Sequence, residues 1–327
     1  QREMEVSRQA FVQDAGEVAE RVRQRMVKYE LVLRGAGSLF ASLARPTPQQ
    51  WRAYVERLDV EKRFPGMVGL GFAGYVSQGR MVALQREWLD SGYGRLEIRP
   101  HGVRPYYGPI LYLEPRTRVN AEAIGFDMYS ESVRHRAMAA SAETGLPHLT
   151  GPVQLVQDGT QPRAGMLMYL PVYLGGVEPP TVAGRREALL GWVYVPLRAE
   201  HLVHAALGEL GGIEDVAFRI VDVTRPQERE IFTTPPMAQD APAFAHSLEL
   251  EHYGRRWRFD FQSAPLAQAR QPPHPNLRRY CPAGRRRRGS AARAARSRAT
   301  RPAAVTGRAC ARPTPAAAAH RRDRRAP

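Results

Sequence analysis

Cysteine is almost missing from this chain: two of 327 residues, Cys281 and Cys310. Residues 1–280 therefore carry no disulfide framework and no thiolate chemistry, a composition that suits an oxidising compartment and cytosol equally. Long apolar runs are also absent. The longest nearly apolar run, Gly66 to Val76, has 11 residues, whereas a membrane-spanning helix takes roughly 20. No signal-peptide pattern is present. The sequence contains no Gly-x-Ser-x-Gly, P-loop, His-Glu-x-x-His or Cys-x-x-Cys motif, and His101, His135 and His148 lack metal-ligand spacing. Glu114 and Asp127 could be imagined as a carboxylate pair, but nothing fixes their separation. These absences argue against an enzyme, and they imply no metal or cofactor.

Charge is present but unevenly placed. Residues 1–270 hold 32 Lys plus Arg against 31 Asp plus Glu, a net of +1, and residues 271–327 hold 16 against one, a net of +15. The pI of about 10.5 thus reflects the last 57 residues, and a nucleic-acid footprint is not expected on the rest. The tail is nearly all Arg, Ala and Pro, too poor in apolar residues to offset its ordering entropy, so residues 266–327 are expected to be disordered. Three readings compete for it: a basic arm for nucleic acid or anionic lipid, a processed linker, or a misread frame. We favour the last. With 46 Arg and 2 Lys the chain points to a GC-rich gene, whose shifted frame yields Arg, Ala, Pro and Gly codons.

The first 45 residues read as one long helix, with Phe11, Ala15, Val18, Val22, Tyr29 and Val32 at spacings of three, four or seven and Arg25 interrupting. Two readings stand side by side: a stalk that pairs with another helix, and an amphipathic helix packed on its own domain. Thr47-Pro48-Gln49-Gln50 supplies an N-cap, a proline at N1 and a capping-box Gln for a second helix, which Trp51, Tyr54, Val55 and Leu58 make one-sided. From Met67 to Val76 the pattern alternates, as in a strand with small residues on one face. Gly69-x-Gly71-x-x-Gly74 matches the dinucleotide fingerprint but lies inside that strand rather than at a strand-to-helix turn, so it is set aside.

Further strands are predicted at 95–99, 108–113, 153–157, 166–173, 190–197, 216–223 and 256–261. Helices are predicted at 81–89, 130–143 and 201–211, and 225–242 reads as a loop-rich insertion. Antiparallel strands with helices on one face give an α+β fold.

The densest stretch runs from Tyr106 to Tyr173. Asp127 sits between Phe126 and Met128 in a segment built for burial, so donors must face it. They could belong to a ligand, to a helix N-terminus that Asp127 caps, or to Arg134 or Arg136. Met166, Met168 and Leu170 share one face of a strand, Leu167 and Tyr169 the other, and such Met and aromatic residues suit a pocket for planar ligands.

Tyr-x-Pro-Ile-x-Tyr-x-Glu-Pro at 107–115, Asn120, Gly125-Phe126-Asp127-Met128-x-Ser130-Glu131, Thr144-Gly145, Leu155-Val156-Gln157 and Leu170-Pro171-Val172-Tyr173 together resemble a CHASE domain. So do the upstream Tyr29-Glu30-x-x-Leu33-Arg34-Gly35, Trp51-Arg52-x-Tyr54-Val55 and Phe64-Pro65-Gly66. That family supplies the extracytoplasmic sensor module of bacterial transmembrane kinases and cyclases and of plant cytokinin receptors.

The resemblance implies a stalk helix (1–45), a membrane-distal PAS-like ligand-binding domain (46–198), and a connecting helix with a membrane-proximal PAS-like domain (199–265). It further implies a homodimer through the N-terminal helix, flanking membrane helices beyond this sequence, a periplasmic location, and a histidine kinase or cyclase output domain. By the same resemblance Asp127 matches the aspartate that bonds the adenine ring of cytokinins. Leu149 matches a position whose backbone meets the ligand, and Trp192 a pocket aromatic. A plant ligand-contacting threonine falls near Asp158, a departure that puts cytokinin itself in doubt. The expected ligand site is therefore Asp127, Leu149, Met166, Met168 and Trp192, for a purine-like or other small planar or organic molecule. Nucleic-acid binding through the tail and a ligand-free dimerisation module are the rival readings.

Overall fold

The computed structural model of the chain describes residues 2–43, 45–158, 164–208, 216–234 and 242–263. The expected tail, 266–327, lies outside the described residues. Helix α1 (Arg2–Leu43) is followed by α2 (Pro48–Leu58) and a short α3 (Val60–Arg63). The Thr47 signal forms as read: Thr47 Oγ1 accepts from Gln50 N, and the Gln50 side chain accepts from Thr47 N.

Strand β1 (Leu70–Gly74), β2 (Val76–Ser77), α4 (Gln78–Asp90), β3 (Tyr106–Tyr107), β4 (Ile110–Glu114), α5 (Arg118–Ala123) and α6 (Ser132–Thr144) come next. They are followed by β5 (His148–Leu149), β6 (Gly165–Tyr173), α7 (Val182–Ala188) and β7 (Leu189–Arg198). Strands β4-β1-β7-β6-β5, in that order, make a five-stranded antiparallel sheet, and β2 pairs with β3 apart from it. Helix α8 (Ala199–Leu207) leads to β8 (Val216–Asp222), β9 (Arg229–Thr233), β10 (Ala245–His252) and β11 (Arg255–Ser263). These four form a second antiparallel sheet in the order β10-β11-β8-β9. The fold is α+β, as expected.

Side chains alternate between the two faces of the five-stranded sheet, and both faces are buried, one under α1 and the other under α6. Met166, Met168, Leu170 and Val172 of β6 join Val193, Val195, Leu70 and Phe72 in a core shared with α1. Leu167 and Tyr169 join Ala73, Trp192 and Tyr194 in a core shared with Met128 and with Met138 of α6. The small residues of β1 have a cause on this second face: a Cβ on Gly71 would lie 2.5 Å from the Tyr194 ring.

Helix α1 packs on its own chain along most of its length. Phe11, Val18, Val22, Met26, Tyr29, Leu33 and Phe40 are buried, each large one contributing about 1.5–3 kcal/mol. Arg25, the break in the apolar seam, is buried too and donates from Nη2 to Ala205 O at 2.6 Å.

Three sequence expectations differ from the structure. Residues 95–99 form no strand; Arg99 makes an isolated bridge to Phe126, while Leu96 and Ile98 are buried as the alternation required. Residues 153–157 give one bridge, Val153 to Gly165, then a 3-10 turn at Val156–Asp158. The segment read as a loop-rich insertion contains β9, and β10 follows it.

Candidate functional site

Asp127 is fully buried. It caps the 3-10 turn Met128–Ser130: Oδ1 accepts from Tyr129 N at 3.1 Å and from Gly108 N at 2.7 Å. Oδ2 lies 3.2 Å from Arg104 Nε in an ion pair and has no hydrogen bond among the described residues. The capping reading thus holds in the structure, but the cation is Arg104. Arg134 serves Glu131 and Gln154 O, and Arg136 lies elsewhere. Burial pushes the Asp127 carboxyl above its usual range, against the Gly108 N–H, the Arg104 charge and the Tyr129 N–H. A ligand would reach Oδ2 only by displacing Arg104. Glu114, its imagined partner, is paired with Arg52 at 3.2 Å.

The structure brings three of the five expected residues together, since Leu149 pairs with Met168 across β5 and β6 and shares one core with Met166, but Trp192 lies in the other core and Asp127 beside it. Alternation along β6 sends Met166 and Met168 to the α1 face, whereas Trp192 lies on the α6 face with Met128, the neighbour of Asp127. Leu149 is buried and borders a cavity of about 230 Å³ near the second sheet.

A cleft of about 910 Å³ opens where β1 ends and β7 begins. Its walls come from Phe40 and Arg45, from α4, from α6 and from α7, and its floor is aromatic. Tyr75 stacks on Tyr106, ring centroids 4.8 Å apart and 10° from parallel, and meets Tyr129 edge-on at 5.9 Å. Trp192 stands behind both, 5.6 Å from each ring, locked by Nε1 donating to Met138 O at 2.9 Å. Asp127 therefore reaches the cleft indirectly, by fixing the backbone of Tyr129.

Burial, with Tyr129 and Tyr106 adding to it, pushes the Tyr75 hydroxyl up to about 12. Burial and then the Glu143 charge raise Tyr129. Both phenols are neutral donors at ordinary pH, and neither hydroxyl has a hydrogen-bond partner among the described residues. Arg186 pairs with Glu143, and Arg45 with Glu87 at 3.4 Å. Arg80, exposed at the rim, has no ionic partner among the described residues.

The sequence reading missed Tyr75, Tyr106 and Tyr129. Tyr75 lies between β1 and β2, Tyr106 opens β3 and Tyr129 lies in the Met128–Ser130 turn, the last two inside the dense stretch from Tyr106 to Tyr173. Among the described residues no three His, Cys, Asp or Glu side chains gather as metal ligands, and no helix is long and apolar enough to cross a membrane.

The periplasmic sensory domain of the Campylobacter jejuni chemoreceptor Tlp1 is similar over 80% of this chain and 96% of its own, with 9% identity and a TM-score of 0.50. That likeness concerns the PAS-like fold. An extracellular ligand binding receptor from Desulfohalobium retbaense DSM5692 matches over 76% of this chain, with 10% identity and a TM-score of 0.46. The match spans 39% of that receptor's length. The CHASE domain model matches residues 45–232, more than half of the chain, and the chain belongs to the CHASE family of sensory domains.

Proposed function

We propose that this chain is the extracytoplasmic sensor region of a bacterial transmembrane signalling protein. In this reading it faces the periplasm and biases a kinase or cyclase output domain carried elsewhere in the protein. Residues 46–198 act as the membrane-distal ligand-binding domain and 199–265 as the membrane-proximal one. The ligand is a small planar or organic molecule seated in the cleft, stacked against Tyr75 and Tyr129 and held by their hydroxyls and by Arg80. One observation carries the reading: a cleft of about 910 Å³ with an aromatic floor and unpaired donors, in the size range of roughly 300–1,000 Å³ that small-molecule sites occupy. Asp127 supports the site by positioning Tyr129 rather than by touching the ligand.

The homodimer forms through the outward face of α1. Gln9, Gln13, Gly16, Val27, Leu31 and Ser38 fall on one stripe opposite the buried face, and Leu31 is 63% exposed. Pairing of that stripe with its copy joins the two sequence readings of α1, since the opposite face packs on its own chain. Output then requires a ligand that prefers one arrangement: tenfold preference shifts the balance by about 1.4 kcal/mol.

A thermal-shift screen of the chain against purines, amino acids and organic acids tests the reading. The expected result is a hit whose shift is lost in Tyr129→Ala and weakened in Tyr75→Phe. A hit whose affinity is the same in both variants refutes the cleft.

A further inference from the structure

We infer a second, separate site: an anion clamp between the two sheets, in the cavity of about 230 Å³ that Leu149 borders. Its walls come from both sides of the boundary. Arg136 of α6 belongs to the first part of the chain, while Arg225, Arg229 and Arg255 belong to the second. Among the described residues four arginines line the hollow against one carboxylate, Asp222. That carboxylate is buried and already engaged: Oδ2 takes the Arg255 Nε donor at 2.9 Å, and Oδ1 accepts from Thr224 N at 3.0 Å. Arg229 reaches Pro152 O at 3.2 Å. Arg136 and Arg225 have no partner among the described residues.

The boundary is built for close approach. A Cβ on Gly254 would lie 2.7 Å from His148 Cδ2, and one on Gly151 would lie 2.9 Å from Arg255 Nη2. Leu149 N donates to Tyr253 O at 2.9 Å, so backbone joins the two sides directly beside the arginines. Unpaired like charges held across such a seam repel each other, and a multivalent oxyanion between them turns the repulsion into charge-assisted hydrogen bonds. The volume is below the usual range of roughly 300–1,000 Å³ for organic ligands and suits a small ion. The chemical class is therefore a phosphate or a compact di- or tricarboxylate. Binding it ties α6, whose Ala139, Ala142 and Glu143 also border the aromatic cleft, to the second sheet. The clamp does not depend on what occupies that cleft.

Hydrogen exchange read by mass spectrometry on the full chain tests it, with inorganic phosphate or citrate compared with sodium chloride at equal ionic strength. The expected result is slowed exchange in peptides covering 148–151 and 252–256. The apparent affinity should fall about tenfold or more in Arg136→Gln/Arg225→Gln, since each lost guanidinium removes a charge-assisted bond. Neither arginine holds the fold, so the variant is expected to melt with wild type. The more tightly bound of the two probes identifies the oxyanion class. Protection that chloride reproduces, that persists in the double variant, or that is confined to residues 271–327 with their 16 basic side chains overturns the proposal.

Discussion

Replacing Asp127 separates a structural carboxylate from a ligand anchor. In Asp127→Ala the N–H groups of Gly108 and Tyr129 lose their shared acceptor in a site closed to water, where each unsatisfied group costs about 1–3 kcal/mol. The Arg104 ion pair is lost as well, and relief from burying a charge offsets part of the sum. The net destabilisation should be about 2–4 kcal/mol, or roughly 5–15 °C in melting temperature for a unit of this size. Asp127→Asn keeps the Oδ1 acceptor and drops the charge that burial disfavours, so it should stay within about 1 kcal/mol of wild type. Urea titration followed by tryptophan fluorescence measures both. Equal damage in Asn and Ala would mean that the charge, not the cap, matters. An undamaged Ala variant would mean that the two N–H groups find water, and the reasoning about the buried cap would fail.

Four further outcomes follow from the same geometry. Gly191→Ala should destabilise by about 3 kcal/mol or more, measured in the same titration, because Gly191 has φ +150° and a Cβ there would sit 2.1 Å from Ala73 O. His252, packed against Trp257, is lowered to about 4 by burial and then by the Arg23 charge. The unfolded chain takes up a proton near 6.5 that the folded chain refuses, so stability should be intact above pH 6.5 and fall by about 2–3 kcal/mol on acidification towards pH 4. His252→Phe should remove that slope, whereas a wild-type profile flat between pH 7 and 4 contradicts it. Leu31→Arg should convert a dimer to monomer in sedimentation without changing the melting temperature, and an unchanged dimer would place the interface elsewhere.

Much of the fold was legible because local rules and tertiary demands agreed. Thr47-Pro48 and Gly145 mark ends that no packing overrides, and the α1 seam is the face that α8 and the sheets bury. Strand β10 was missed although its burial alternates along its length. Its Glu249 and Glu251 face outward, and a polar half-buried strand gives a weak apolar signal. At 95–99 the alternation of Leu96 and Ile98 was real, but a segment with one bridge and no neighbouring ladder is buried without being a strand.

The candidate site was less legible, for two reasons. Period-2 patterning shows that Met166 and Leu167 face opposite ways, but not which face fronts a cavity. And Asp127 is a residue whose neighbours, Gly108 and Arg104, lie 19 and 23 positions away in sequence. The cleft itself is assembled from seven segments between Phe40 and Leu190, a convergence that spacing alone does not encode.

The most direct measurement is a crystal structure of the chain grown with the strongest hit from the small-molecule screen. The expected result is ligand density stacked against Tyr75 and Tyr129, with Asp127 Oδ1 still bonded to the Gly108 and Tyr129 amides. Density beside Asp127 Oδ2 with Arg104 displaced, or between Met166, Met168 and α1, would contradict it.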